Sequence, residues 1–212
     1  VSDAPAYWNR VADEKTFTHP LSAAWLAGWV EPGARILDYG CGYGRVLRDL
    51  AELGHANAVG VDRSAAMIER GLREHPDLDL RITQGSHAPF GDRSFDLVLL
   101  FAVLTCIVAD EDQRGLIADA ARLLRPGALL YLSDMPLQTD ARNRERYAAD
   151  AQRFGVHGVF ATDDGGVLRH HADEHFDELL AGFDVIERET RDARTMHGNP
   201  ATIVQILARC PP

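Results

Sequence analysis

Lysine is nearly missing from this chain. Lys15 is the only one, and the other basic residues are arginines scattered among acids, with no dense positive run. Asp and Glu number 32 against 22 Lys and Arg, a net charge of −10. Clamping nucleic-acid phosphates draws on clustered cations, so a nucleic-acid partner is disfavoured. Cysteine is also sparse. Cys41, Cys106 and Cys210 have no metal-type spacing and cannot all pair, which suits a reducing compartment. No apolar run approaches the roughly 18 residues that would suggest a membrane span. No leader-type segment, internal repeat or low-complexity stretch stands out, and the expectation is a cytoplasmic protein without membrane attachment, monomeric or homodimeric.

What is present suits one globular domain over residues 1–212, since a hydrophobic share of 46% and a charged share of 25% are ordinary for one. The stretch Ile36-Leu37-Asp38-Tyr39-Gly40-Cys41-Gly42-Tyr43-Gly44-Arg45 reads as a buried strand, a tight turn and the start of a helix to about Leu53. Glycines at alternate positions let backbone N–H groups approach a ligand, and the helix adds its positive end. A dinucleotide fingerprint would need glycine where Arg45 stands, so an NAD-dependent dehydrogenase is disfavoured. A second strand, Ala58 to Val61, ends in Asp62, an acid that can accept hydrogen bonds from both hydroxyls of a ribose.

With its acid, G-x-G-x-G turn and second acid, the chain resembles the class I S-adenosylmethionine (SAM)-dependent methyltransferases. Further matches are Pro89-Phe90, Phe95-Asp96-Leu97-Val98, and Leu123 to Leu130, similar to L-x-P-G-G-x-L with Ala128 for the second glycine. The resemblance implies a Rossmann-like, doubly wound α/β sheet of seven strands, mostly parallel, whose last strand is antiparallel and lies between the fifth and sixth. It also implies SAM as cofactor and S-adenosylhomocysteine as product. Asp38 and the carbonyls around Gly40 would receive the cofactor's ammonium, with Cys41, Gly42 and Gly44 against the adenosine and Asp62 and Arg63 at the ribose. Phe101, Ala102 and Leu104 would flank the methionine arm. Adenine would meet Gln84, Gly85 and Ser86, although Gln84 stands where the family places an acid.

Around this centre, residues 1–32 suggest a helical lid, with helices from Ala6 to Glu14 and from Leu21 to Val30, the second started by Pro20. Tyr7, Trp8, Phe17 and His19 are lid candidates or plain core aromatics. Ser64 caps a helix whose apolar positions are Ala65, Met67, Ile68 and Leu72. Cys106, in an apolar run, reads as a small buried hydrophobe. Residues 137–171 suggest an insertion over the acceptor pocket: a helix from Asp140 to Phe154, then a hairpin turning at Asp163 to Gly166. His170, His171, Asp173 and His175 have weak ligand spacing, and no metal is expected. Glu187 to Arg194 reads as a solvated strand end and loop.

Transfer from a sulfonium needs alignment more than covalent help. If the acceptor must lose a proton, His19, Asp134, His170 or His171 are the candidate bases. The expected activity is methylation of a small molecule at O, N, S or C. Alternatives are a methyltransferase acting on a protein or RNA, and a non-catalytic SAM-binding regulator.

Overall fold

A computed structural model describes residues 4–85 and 87–212, so Ser86 lies outside the described residues. Two short helices, α1 (Ala4–Arg10) and α2 (Ala23–Trp29), precede the sheet. The strand β1 (Ile36–Tyr39) leads through the glycine turn into α3 (Arg45–Glu52), β2 (Ala58–Asp62), α4 (Ala65–Glu74) and β3 (Asp79–Ile82). Then come β4 (Phe95–Phe101), a 3₁₀ turn (Leu104–Cys106), α5 (Asp110–Leu123) and β5 (Leu124–Asp134). The insertion supplies α6 (Ala141–Phe154) and the hairpin β6 (Val159–Ala161) and β7 (Val167–Arg169). The chain closes with α7 (Asp173–Leu179), β8 (Asp184–Arg194) and β9 (Pro200–Arg209).

The seven strands run in the order β3-β2-β1-β4-β5-β9-β8, parallel from β3 to β5, with β9 antiparallel to both its neighbours. Every residue of β1 is buried because helices cover both faces of the sheet. Ile36 packs with Leu26, Val46, Leu97 and Tyr131 on one face, and Leu37 with Val98, Leu116 and Leu130 on the other. Alternation then places Asp38, Phe101 and Ser133 together above the first face, where β1, β4 and β5 end. Strand order reverses between β1 and β4, so the crevice of a doubly wound sheet opens at this end. Among the described residues, no helix is long and apolar enough to cross a membrane.

Several sequence expectations need correction. The second helix starts from Ser22, whose hydroxyl accepts from the N–H of Trp25, rather than from Pro20. Leu72 is 41% exposed; α4 instead turns Met67, Ile68 and Gly71 inward, and a Cβ on Gly71 would lie 2.4 Å from Leu80, so close approach to β3 decides which face is buried. Glu187 to Arg194 is no loop, since it pairs along β9 from Glu187 against Leu207 to Arg194 against Pro200. Its charges alternate outward on an edge strand, where they discourage pairing with another chain.

Candidate active site

The glycine turn is shaped from below and pinned from the side. Gly40, Gly42 and Gly44 all have positive φ (84°, 56° and 81°), and the N–H groups of Gly40 and Cys41 donate to the carbonyl of Val61. Asp62 takes the third hold: one carboxylate oxygen accepts from the Gly42 N–H at 2.8 Å and the other from the Ser64 N–H at 2.8 Å. Asp62 is therefore a turn-fixing residue, with lone pairs left for a further donor. Burial pushes its carboxyl up, against the opposing N–H groups of Ser64, Gly42 and Arg63; the Arg63 side chain itself is exposed. Cys41 is buried in this turn, and burial with the nearby Asp38 and Asp62 carboxylates holds its thiol protonated.

Beneath the turn lies Asp38, 1% exposed, whose Oδ2 has no hydrogen-bond partner among the described residues. Burial pushes the carboxyl up to about 7, opposed by the Arg45 guanidinium and assisted by Asp62. A buried acceptor left unmade is uncommon and invites a donor from outside the chain.

The lid is seated on this turn. Phe17 stacks on Tyr43 with ring centroids 5.1 Å apart, and the Phe17 N–H donates to the Tyr43 hydroxyl at 3.0 Å. Trp8 packs edge-on against Phe17, and Tyr7 against Trp8. A Cβ on Gly42 would come within 2.3 Å of the Phe17 ring, so only glycine permits both the left-handed backbone and the seated ring. Asn9 fastens the lid to α4, its Oδ1 accepting from the Ser64 hydroxyl and the Ala66 N–H.

A clasp joins lid, hairpin and the loop before β9 at Asp164. Its carboxylate accepts from Tyr7 at 3.1 Å and from Lys15, while Lys15 Nζ also lies 2.9 Å from His197 Nε2. Arg10 donates to the Asp164 carbonyl at 2.6 Å. Burial would raise this carboxyl, but the donors Lys15, Thr162, His197 and Tyr7 outweigh it and hold it well below the ordinary range.

At the end of β4, Phe101 packs edge-on against Tyr131, and Ala102 takes φ 56°, a strained conformation for a residue with a Cβ. The Ala102 N–H donates to the Ser133 carbonyl at 2.7 Å, and its own carbonyl receives the Cys106 thiol at 3.2 Å. Burial, with Asp134 and Asp62 nearby, pushes that thiol up, while the Cys106 side chain is half-buried rather than enclosed in the core as expected. Leu104 is wholly buried in the core rather than lining the crevice.

Gln84 and Gly85 are exposed beyond β3. Their loop is anchored by a residue that the sequence reading passed over. Asp119 on α5, 1% exposed, accepts from the Ala88 N–H, Tyr39 hydroxyl and Arg122, with His87 Nδ1 at 3.0 Å. An acid among Leu116, Ile117, Ala120 and Leu123 on the buried helix face was the available signal.

Of the candidate bases, Asp134 and His171 come within 3.9 Å of each other. His19 is buried with Nδ1 3.0 Å from the Ser133 hydroxyl and 3.2 Å from the Ser133 carbonyl; burial lowers the ring to about 4. Asp134 faces the opposite side of the sheet, and its Oδ1 accepts from the Thr105 and Met135 N–H groups; burial pushes it up to about 7. His170 lies inside the insertion, its Nδ1 2.6 Å from the Tyr147 hydroxyl and its ring against Phe160, a packing position rather than a pocket wall. His171 stacks on His175 and its Nε2 lies 2.8 Å from the Gln113 amide, with burial lowering it to about 3. Among the described residues no group of three or more His, Cys, Asp or Glu could hold a metal.

Residues 36–127 match a family described as a methyltransferase domain. An O-methyltransferase of Aspergillus nomiae is 28% identical over 174 residues, covering 79% of this chain and 72% of that protein. A demethylmenaquinone methyltransferase of Tropheryma whipplei is 32% identical over 108 residues, 50% of this chain and only 43% of the relative. A crystal structure of a SAM-dependent methyltransferase from Methanosarcina mazei superposes with a TM-score of 0.82 at 23% identity, covering 88% of this chain and 96% of that one.

Proposed function

We propose that the chain is a class I SAM-dependent methyltransferase that moves a methyl group from SAM to a small-molecule acceptor by in-line displacement beneath the lid. The unpartnered Oδ2 of Asp38 beneath a glycine turn carries this reading, because a cationic nitrogen is the donor that such an acceptor lacks. SAM supplies the chemistry, a methyl group already activated on a sulfonium.

Asp38 would hold the amino group, and the free lone pairs of Asp62 the ribose hydroxyls. Asp62 thus has two tasks, since the same carboxylate sets the Gly42 N–H. Gln84 and Gly85 would border the adenine on a loop fixed by Asp119. Phe101 and the strained Ala102 would border the methyl, Ala102 turning its peptide inward at the end of β4. The ring series Tyr7, Trp8 and Phe17 keeps water from the turn, which strengthens electrostatic contacts beneath it. His19 is the base we assign where an acceptor must lose a proton. Its Nδ1 meets Ser133, whose side chain lies on the same sheet face as Asp38. Its low basicity suits a proton released as the new bond forms rather than before it.

The relatives' names favour small acceptors, and oxygen is the atom named for the Aspergillus protein. The test is a thermal-shift comparison of S-adenosylhomocysteine with NAD, followed by release of S-adenosylhomocysteine from SAM against pooled hydroxyl, amine, thiol and carboxylate metabolites. We expect stabilisation by the first ligand alone and turnover with part of the pool. Stabilisation by NAD alone would overturn the cofactor assignment, and binding without any turnover would overturn the small-molecule one.

A further inference from the structure

Ser133 and Gln205 are wholly buried and uncharged, and both stand behind His19. We infer that they are positioning residues that set the His19 proton on Nε2, so that the resting site offers a hydrogen-bond donor and selects an acceptor whose reacting oxygen arrives already ionised, a carboxylate or an acidic phenol. This rests on the reading of the site as that of a methyltransferase.

The hydrogens can be followed one by one from the lid inward. Gln205 Nε2 lies 2.6 Å from the Pro20 carbonyl, which can only accept, so the amide nitrogen belongs there even though Oε1 is left without a partner among the described residues. The second hydrogen of that nitrogen reaches Ser133 Oγ at 3.3 Å. A hydroxyl that accepts from Gln205 still has its own hydrogen to place, and among the described residues the acceptor within reach is His19 Nδ1, at 3.0 Å. Nδ1 therefore bears the lone pair. Burial keeps the ring neutral at ordinary pH, which puts its single proton on Nε2. Nε2 meets no partner among the described residues and is not one of the enclosed polar atoms, so its hydrogen is open to a ligand. The lid residue is itself held in place, Arg45 Nη2 donating to the His19 carbonyl.

A donor at this point discriminates among acceptors. An amine would meet it hydrogen to hydrogen. An alcohol could accept from it but would keep a proton with no free base beside it: Asp134 faces the other side of the sheet, His170 and His171 lie in the insertion, and Asp38 and Asp62 are committed to the cofactor. His19 becomes a base only after the Ser133 hydroxyl turns away and leaves its hydrogen bond unmade. An ionised oxygen requires neither. Its lone pair bonds the methyl carbon as the S–C pair returns to sulfur, anion and sulfonium become two neutral groups, and no proton has to leave. The charge-assisted bond from Nε2 meanwhile holds the oxygen in line.

Heteronuclear NMR of histidine-labelled protein reads the tautomer directly. We expect His19 protonated on Nε2 in wild type and on Nδ1 in Ser133→Ala, because the partner then left is the backbone carbonyl at 3.2 Å, which can only accept. Release of S-adenosylhomocysteine from SAM is then measured at neutral pH in separate arms of carboxylates, acidic phenols, alcohols, amines and thiols. Turnover is expected in the first two, and the arm that responds tells them apart. With that acceptor, Ser133→Ala should lower kcat/KM about 10–100-fold, the range for a hydrogen bond to a charged group, while S-adenosylhomocysteine affinity stays within about 3-fold. Should Ser133→Ala fail to fold, the wild-type spectrum and the acceptor arms decide alone. A wild-type ring protonated on Nδ1, an unchanged tautomer in folded Ser133→Ala, or turnover at least as fast with alcohols, amines or thiols overturns the inference and leaves the methyltransferase reading standing. Silence in every arm removes that reading, and the inference with it.

Discussion

The two sides of the proposed site are built by different means. The wall from β1 to β4 is backbone: strand register places the turn, and the carbonyl of Val61 and carboxylate of Asp62 hold its N–H groups. The opposite wall is side chain. Tyr7 and Asp164 are 157 residues apart and meet through one hydroxyl, and Lys15 and His197 meet across 182. Backbone-built geometry tolerates few substitutions, whereas a wall of side chains can be re-cut for new acceptors with the first wall intact. The division suits a cofactor that never changes beside an acceptor that does.

If that division holds, the severest damage should come from the backbone wall. Gly42→Val places a branched side chain at φ 56° and into Phe17, and we expect at least about 3 kcal/mol of lost stability, strain and overpacking together, with no measurable S-adenosylhomocysteine binding by calorimetry. A variant that melts and binds like wild type would show that the turn is not fixed as described.

Asp38→Asn should come next, with opposite effects on binding and stability. A native carboxyl raised to about 7 by burial binds more protons than the unfolded chain between roughly pH 4 and 7, so stability falls as pH rises through that window. Asparagine removes this slope, and the ligand-free variant should melt higher than wild type at pH 8 while binding S-adenosylhomocysteine at least about 10-fold more weakly. For wild type, affinity should improve from pH 6 to pH 7.5, because the ammonium selects the ionised carboxylate. A flat profile would place the amino group elsewhere.

The mildest change should be Asp164→Ala. The clasp is partly exposed, so about 1 kcal/mol of stability, sensitive to salt, is the expected loss. Because its carboxyl is depressed in the folded state, the contribution is present above the ordinary carboxylate range and disappears as pH drops below it. Steady-state kinetics should show a raised KM for the acceptor with the cofactor's Kd within about 3-fold. Loss of cofactor binding instead would mean that the two walls are one unit.

The same contrast explains what could be read beforehand. The turn, Asp38 and Asp62 were legible because they depend on neighbours in sequence and on period, whereas the strand order, with its inserted antiparallel strand, was implied by the family resemblance alone. The seating of Phe17 on Gly42, the strained Ala102, the anchoring of the adenine loop by Asp119 and the packing of His170 inside the insertion depend on tertiary contacts. Arg45 had counted only as evidence against a dinucleotide, and its hold on the His19 carbonyl became visible once the lid was placed. Likewise the charges from Glu187 to Arg194 looked like a loop because solvation of an edge strand and of a loop leave the same composition.

One consequence follows from Lys15, the chain's single lysine, which is 6% exposed and locked between Asp164 and His197. No other side chain here carries a primary amine, so an amine-selective acylating reagent leaves a stable side-chain amide only in molecules whose clasp has opened. The rate of that one covalent event counts openings directly, giving a built-in clock for traffic through the pocket without any label being introduced.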